Sequence, residues 1–70
     1  MNHVAEYHGT DGSILPYGIG PTREDAIAAA VKQFAGADFR MRAYMRSRIV
    51  VRTVCADEAS EIIEYFETVW

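Results

Sequence analysis

The sequence predicts an α+β fold, a small domain in which two antiparallel hairpins pack with two helices in the order β-β-α-β-β-α. An Asp-Gly turn separates two short extended segments at the start of the chain. Apolar residues recur at helical spacing in two later segments, and between these helices apolar and polar residues alternate over residues 39–54. With 70 residues, the chain has the length of a single domain, which we place at residues 1–70.

The first hairpin is predicted from its turn. Residues 2–8 are followed by Gly9-Thr10-Asp11-Gly12-Ser13, and residues 14–19 form the returning strand. The Asp-Gly pair supplies the positive φ that a tight turn requires. Because Pro16 has no backbone N–H for a sheet ladder, we expect the returning strand to lie at an edge and to be short or bulged.

The first helix is predicted to begin after Thr22, which caps it with Asp25 at the third helical position. We expect Gly36 to end it in a left-handed conformation. The alanine-rich stretch at residues 26–30 permits close approach by a sheet, but alanine also simply favours helix, and we prefer that second interpretation. The residues expected on the buried face are Ile27, Ala30, Val31 and Phe34.

Residues 39–54 are predicted to form the second hairpin, with arginine on one face of its strands. Apolar and polar residues alternate on both sides of a turn near residues 45–47, as they do in a half-buried strand. The turn contains no Gly, Pro or Asn, so its position is defined only to within a few residues. The predicted polar face carries Arg40, Arg42, Tyr44, Arg48 and Arg52.

The last helix is predicted to begin at Cys55-Ala56-Asp57-Glu58, where Cys55 takes the place of a capping Ser or Thr. We expect the helices to pack through Ile27, Val31, Phe34, Ile62, Ile63 and Phe66. On a helical wheel the apolar side carries Ala59, Ile62, Ile63, Phe66, Val69 and Trp70. The other side is an acidic strip of Asp57, Glu58, Glu61, Glu64 and Glu67.

The acidic strip opposes helix stability, because like charges three or four residues apart repel by roughly 0.2–0.5 kcal/mol per pair. Glu64 and Glu67 also approach the negative end of the helix dipole. Either the arginines of the chain neutralise these acids or a partner does. The strip rises by about 15 Å and carries a negative charge about every 3–4 Å, close to the spacing of phosphates along one nucleic-acid strand.

Other sites and locations are excluded or disfavoured. One cysteine, Cys55, excludes an intrachain disulfide and fits a reducing cytosol, and no apolar run reaches the roughly 20 residues of a membrane span. Met1-Asn2-His3 begins no signal peptide, so we expect a cytoplasmic protein. His3 and His8 fall on opposite faces of a strand, which predicts no metal site. We also expect no cofactor and no catalytic site.

Residues Gly18 to Ala26, a strand ending in glycine followed by Thr-x-x-Asp-Ala, resemble the strand-to-helix junction of HicB-type antitoxins. The small size, acidic charge and layout of the whole chain are similar to those of phage-encoded anti-CRISPR proteins, particularly inhibitors of type I effector complexes. The second resemblance implies an inhibitor in the bacterial host cell that occupies the DNA path of a Cas subunit, with the acidic strip as its DNA-mimicking surface.

Two alternatives remain open at this level. An antitoxin-like or nucleic-acid-binding module would use the arginine face instead, although the net charge of −3 disfavours direct nucleic-acid binding. A structural homo-oligomer, such as a homodimer, would place the acidic helix of one copy on the arginine hairpin of another.

Overall fold

The computed structural model describes residues 1–69, which form one three-stranded antiparallel sheet and three helices. The elements are β1 (Asn2–His8), β2 (Ile14–Gly20), α1 (Arg23–Gln33), α2 (Phe39–Ser47), β3 (Ile49–Val54) and α3 (Ala56–Val69). The predicted α+β class is confirmed, but the order is β-β-α-α-β-α. The place predicted for Trp70 on the apolar side of the last helix lies outside the described residues.

The second hairpin is the wrong part of the prediction, because its first strand is the helix α2. Asp38 caps this helix by accepting a hydrogen bond from the backbone N–H of Met41 at 2.8 Å. Arginine, methionine and alanine all favour helix. No residue of α2 is buried, so the alternation of apolar and polar residues in this segment does not mark a buried face of a strand. Without a hairpin partner, β3 pairs with β1 instead.

The sheet has the order β2-β1-β3, which places β1 at its centre. The backbone N–H of His8 donates to the carbonyl of Arg48 at 3.0 Å, and that of Gly9 donates to the carbonyl of Ser13 at 2.8 Å. Because hydrogen-bonded pairs alternate along antiparallel strands, even-numbered residues of β1 bond to β3 and odd-numbered ones bond to β2.

Pro16 occupies a position in β2 that costs the sheet no hydrogen bond. It lies opposite Glu6, an even-numbered residue of β1, so the N–H that proline lacks would have pointed away from the sheet. The register shifts between Ala5 and Glu6, next to this proline. The predicted edge position and irregularity of β2 are both confirmed.

The two glycines predicted to need a positive φ differ. Gly12 has a φ of 88°, as its place in the hairpin turn requires, but Gly36 does not have a positive φ. The reason is that α1 ends before Gly36, where the N–H of Phe34 donates to the carbonyl of Val31 at 3.3 Å. The chain therefore leaves the helix without a left-handed residue.

Helices α1 and α3 pack on opposite faces of the sheet, and Phe34 and Ile62 are buried as predicted. On the α3 face, the buried cluster is Val4, Val54, Ala59 and Ile62, with Ile19 and Phe66 beside it. On the α1 face, the cluster is Ala5, Ala26 and Ala30, with Tyr17, Ile49 and Val51 beside it. Ile63, predicted to be in the core, is 45% exposed.

The alanines of α1 bring the helix backbone close to β2. A Cβ atom built on Gly18 would lie 2.4 Å from both the carbonyl oxygen of Ala26 and the amide nitrogen of Ala30. Such distances are far inside van der Waals contact, so only glycine fits at this position. The alanine-rich stretch therefore permits close approach to the sheet, which is the interpretation that we did not prefer from the sequence alone. Ile27 and Val31, which were expected on the buried face of α1, are only half-buried.

Candidate interaction surfaces

Arg52 joins the sheet to α3 through two carboxylates. Its Nε lies 3.0 Å from Oε1 of Glu6, and its Nη2 lies 2.5 Å from Oε1 of Glu58. The hydrogen bond from Arg52 lowers the pKa of Glu58, and the bonds to Glu58 and Glu6 raise the pKa of Arg52. Arg52 was predicted on a nucleic-acid-binding face and Glu58 in the partner-binding strip, but each is engaged by the other.

The other acids of the predicted strip stay exposed. Helix α3 has acids in its first turn and no base in its last turn. Within residues 1–69, none of these four acids forms an ion pair, which leaves the helix with uncompensated negative charge along its outer side. We call this surface the acidic face; it consists of Asp57, Glu61, Glu64 and Glu67.

The predicted arginine face is not a single surface. Arg40, Arg42 and Tyr44 lie on α2, where all three are exposed. Arg48 lies at the C-terminal cap of that helix, and its Nε donates to the carbonyl oxygen of His8 at 2.7 Å. Together with Arg52 on β3, the five residues are therefore divided between a helix, its cap and a strand.

Sequence reasoning missed two further exposed residues of α2. Phe39 is 78% exposed, and Arg46 is exposed in the last turn of the helix. Within the described chain the arginines of α2 form no ion pair. Helical spacing would have grouped Arg42 with Arg46, four residues on, had the segment been interpreted as a helix.

A cleft of about 350 Å³ separates α1 from α2. Its walls combine apolar residues from both helices with two arginine side chains; the lining residues are Val31, Phe34, Phe39, Arg42, Ala43 and Arg46. A second cleft continues along α1 past Glu24 and Ile27 and shares Arg46 with the first.

Nothing in the described part of the chain assembles the side chains of a metal site, since no group of three or more histidine, cysteine, aspartate or glutamate residues is suitably placed. His3 and His8 pair with Gly20 and Ile14 at opposite ends of the hairpin and face opposite sides of the sheet. Cys55 is exposed, and its carbonyl accepts the hydrogen bond from Ala59 at 2.9 Å that starts α3.

None of the described helices has both the length and the hydropathy needed to cross a membrane.

A scan against protein-family models finds no match, and searches of curated proteins and of solved structures find no significant match. The likenesses to anti-CRISPR proteins and to HicB-type antitoxins therefore stay predictions.

Proposed function

We propose that this chain is a non-enzymatic, protein-binding inhibitor whose acidic face occupies a cationic nucleic-acid-binding surface on its partner. The observation that carries the proposal is that Asp57, Glu61, Glu64 and Glu67 are exposed and unpaired among the described residues, although the chain has arginines to spare. Of the five acids in the predicted strip, Glu58 alone forms an ion pair among the described residues, with Arg52. A charged surface that its own fold leaves uncompensated suits a partner of opposite charge.

The geometry of α3 supports imitation of a phosphate backbone. The acidic face projects from one side of a regular helix, and that helix is anchored to the sheet by Ala59 and Ile62. The backbone positions that carry these charges are therefore ordered before the partner binds, which limits the entropy lost on binding. The partner class that we propose is the DNA-binding subunit of a type I CRISPR effector complex, and the chain would then act as an anti-CRISPR protein.

The test uses binding of target DNA by purified type I effector complexes in the presence of the chain. We expect the wild type to inhibit this binding and the variant Glu61→Gln, Glu64→Gln, Glu67→Gln to lose inhibition, because three partner-facing charges are removed. A matched control, Thr10→Lys, Glu24→Gln, Gln33→Lys, changes the net charge equally but leaves the acidic face intact, so it should inhibit normally.

Inhibition by the triple glutamine variant equal to that of the wild type would contradict the acidic-face mechanism. Loss of inhibition in both variants would show that net charge alone matters. Inhibition should also weaken as salt rises, since the proposed contact is between exposed charges.

The basic helix α2 supports a second candidate, a nucleic-acid-binding module. Its arginines have no acidic partner in the described chain, and Tyr44 is 44% exposed beside them, where it is able to stack on a base. A gel-shift assay with single-stranded and double-stranded DNA and RNA tests this, with Arg40→Ala, Arg42→Ala as the variant. Binding that falls with salt and with these substitutions would favour α2 over the acidic face.

A further inference from the structure

The two edges of the sheet differ in their protection against another strand. The outer edge of β2 carries Pro16 and an irregular register, both of which hinder the addition of a strand. The outer edge of β3 has neither proline nor lysine, its pairing with β1 is regular, and five of its six residues are β-branched. Within residues 1–69, β3 pairs with β1 alone.

The hydrogen-bond pattern identifies which groups of β3 are unpaired. Arg48 bonds to β1, so the even-numbered residues of β3 direct their N–H and C=O groups inward. The corresponding groups of Ile49, Val51 and Thr53 point outward from the edge. No hydrogen bond in the described chain reaches them, which leaves three residues ready to pair with a further strand.

We propose that β3 pairs with β3 of a second copy of this chain, in antiparallel orientation about a twofold axis perpendicular to the sheet. Val51 then lies opposite Val51 of the second copy, and Ile49 lies opposite Thr53. This register joins all three outward-facing residues of each strand through hydrogen-bonded pairs. The result is a continuous six-stranded sheet.

The side chains of β3 favour this register over a shifted one. Val50 lies opposite Arg52 of the second copy, so the aliphatic stem of that arginine covers a valine that is 49% exposed in the single chain. A shift by one pair in one direction places Arg52 opposite Arg52, and like charges directly opposite each other repel. Twofold symmetry also puts both copies of α3 on the same face, so the two acidic faces lie on one side of the assembly.

Substitutions at Val50 test the register through the sign of their effects. Glutamate at position 50 lies opposite Arg52 of the other copy, and the twofold axis makes this pair occur two times in the dimer. Val50→Glu should therefore lower the dissociation constant of the dimer by about two- to thirtyfold, and Val50→Lys should raise it by a similar factor. Within one chain, Val50 lies opposite Glu6, so lysine should favour folding and glutamate should oppose it. Association and stability are therefore expected to change in opposite directions.

The experiment measures mass against concentration by analytical ultracentrifugation for the wild type, Val50→Glu and Val50→Lys, with thermal unfolding of each. Thr10→Glu and Thr10→Lys, in the exposed hairpin turn, are the matched charge controls. Thr53→Pro, which removes only an outward N–H, should weaken the dimer about tenfold or more, while circular dichroism checks that it folds.

A wild type that stays monomeric at all concentrations overturns the proposal. So does a dimer that Val50→Glu and Val50→Lys weaken alike. A dimer that dissociates at high salt and is unaffected by Thr53→Pro would show instead that the acidic face of one copy binds α2 of another, which also overturns pairing through β3.

Discussion

Arg52 and Glu58 connect the sheet to the first turn of α3, with Nη2 of the arginine 2.5 Å from Oε1 of the glutamate. The same guanidinium group holds Glu6 on the central strand, so one cation fixes the position of α3 relative to two strands. Of the five acids in the predicted strip, Glu58 therefore supports the fold, while the other four have no such role among the described contacts.

Acidification should weaken the protein partly through Glu58. Arg52 holds the pKa of Glu58 below its ordinary value of 4.5 in the folded state, so the pair contributes stability above that pH and loses it as pH falls through the lower folded value. Urea unfolding of the wild type should show this loss, and Glu58→Gln should reduce it. A pH dependence that Glu58→Gln leaves unchanged would contradict the assignment.

Gly18→Ala should destabilise the protein severely, because the added methyl group would collide with backbone atoms of α1 that have no room to move. Overpacking of this kind costs about 1–3 kcal/mol or more. Gly36→Ala is the matched control, since a Cβ there meets nothing within 4 Å, and it should leave stability unchanged or raise it by about 0.4–1 kcal/mol. Chemical denaturation measures both, and similar values for the two variants would exclude the close approach.

The neighbouring isoleucines of α3 should differ in their contribution to stability. Ile62 is buried against Val4 and Val54, so Ile62→Ala should lower the free energy of unfolding by about 2–4 kcal/mol. Ile63 is 45% exposed, and Ile63→Ala should cost roughly 1 kcal/mol. Thermal or urea unfolding of the two variants checks the orientation of α3, and the reverse order would mean that the helix is rotated on the sheet.

Hydrogen exchange should distinguish α2 from the rest of the protein. Helix α2 has nine residues and buries none of them, so its amides should exchange at nearly the rate of an unfolded chain. Val4 and Ala5, on the central strand and fully buried, should exchange slowest. Mass spectrometry of peptic fragments resolves the two segments, and strong protection of α2 in the monomer would contradict this expectation.

The elements that the sequence predicted correctly each carry their own local signal. Gly12 marks the first hairpin, Thr22 accepts a hydrogen bond from Asp25 at 3.1 Å to cap α1, and the apolar side of α3 repeats at helical spacing. Residues 39–47 were wrongly predicted as a strand because hydrophobic periodicity identifies an element through its buried face, and α2 has no buried face.

The long-range contacts had no comparable signal in the sequence. Alternation places Arg52 on a face of its strand, but it does not say which element covers that face, so its pairing with Glu6 and Glu58 was not predictable. The partner strand of β3 is 40 or more residues away along the chain, and a misplaced hairpin removed it from consideration. The acidic strip itself was predictable because a single helix contains it.

Pro16 has a further consequence for how many copies can join. A sheet with two open edges adds strands without limit, which is how fibrils grow. Here only β3 offers an open edge, and pairing two copies through β3 leaves a proline-bearing β2 at each outer margin. In the proposed dimer, a proline in each outer strand would therefore oppose the addition of further strands, and the assembly would stop at two copies.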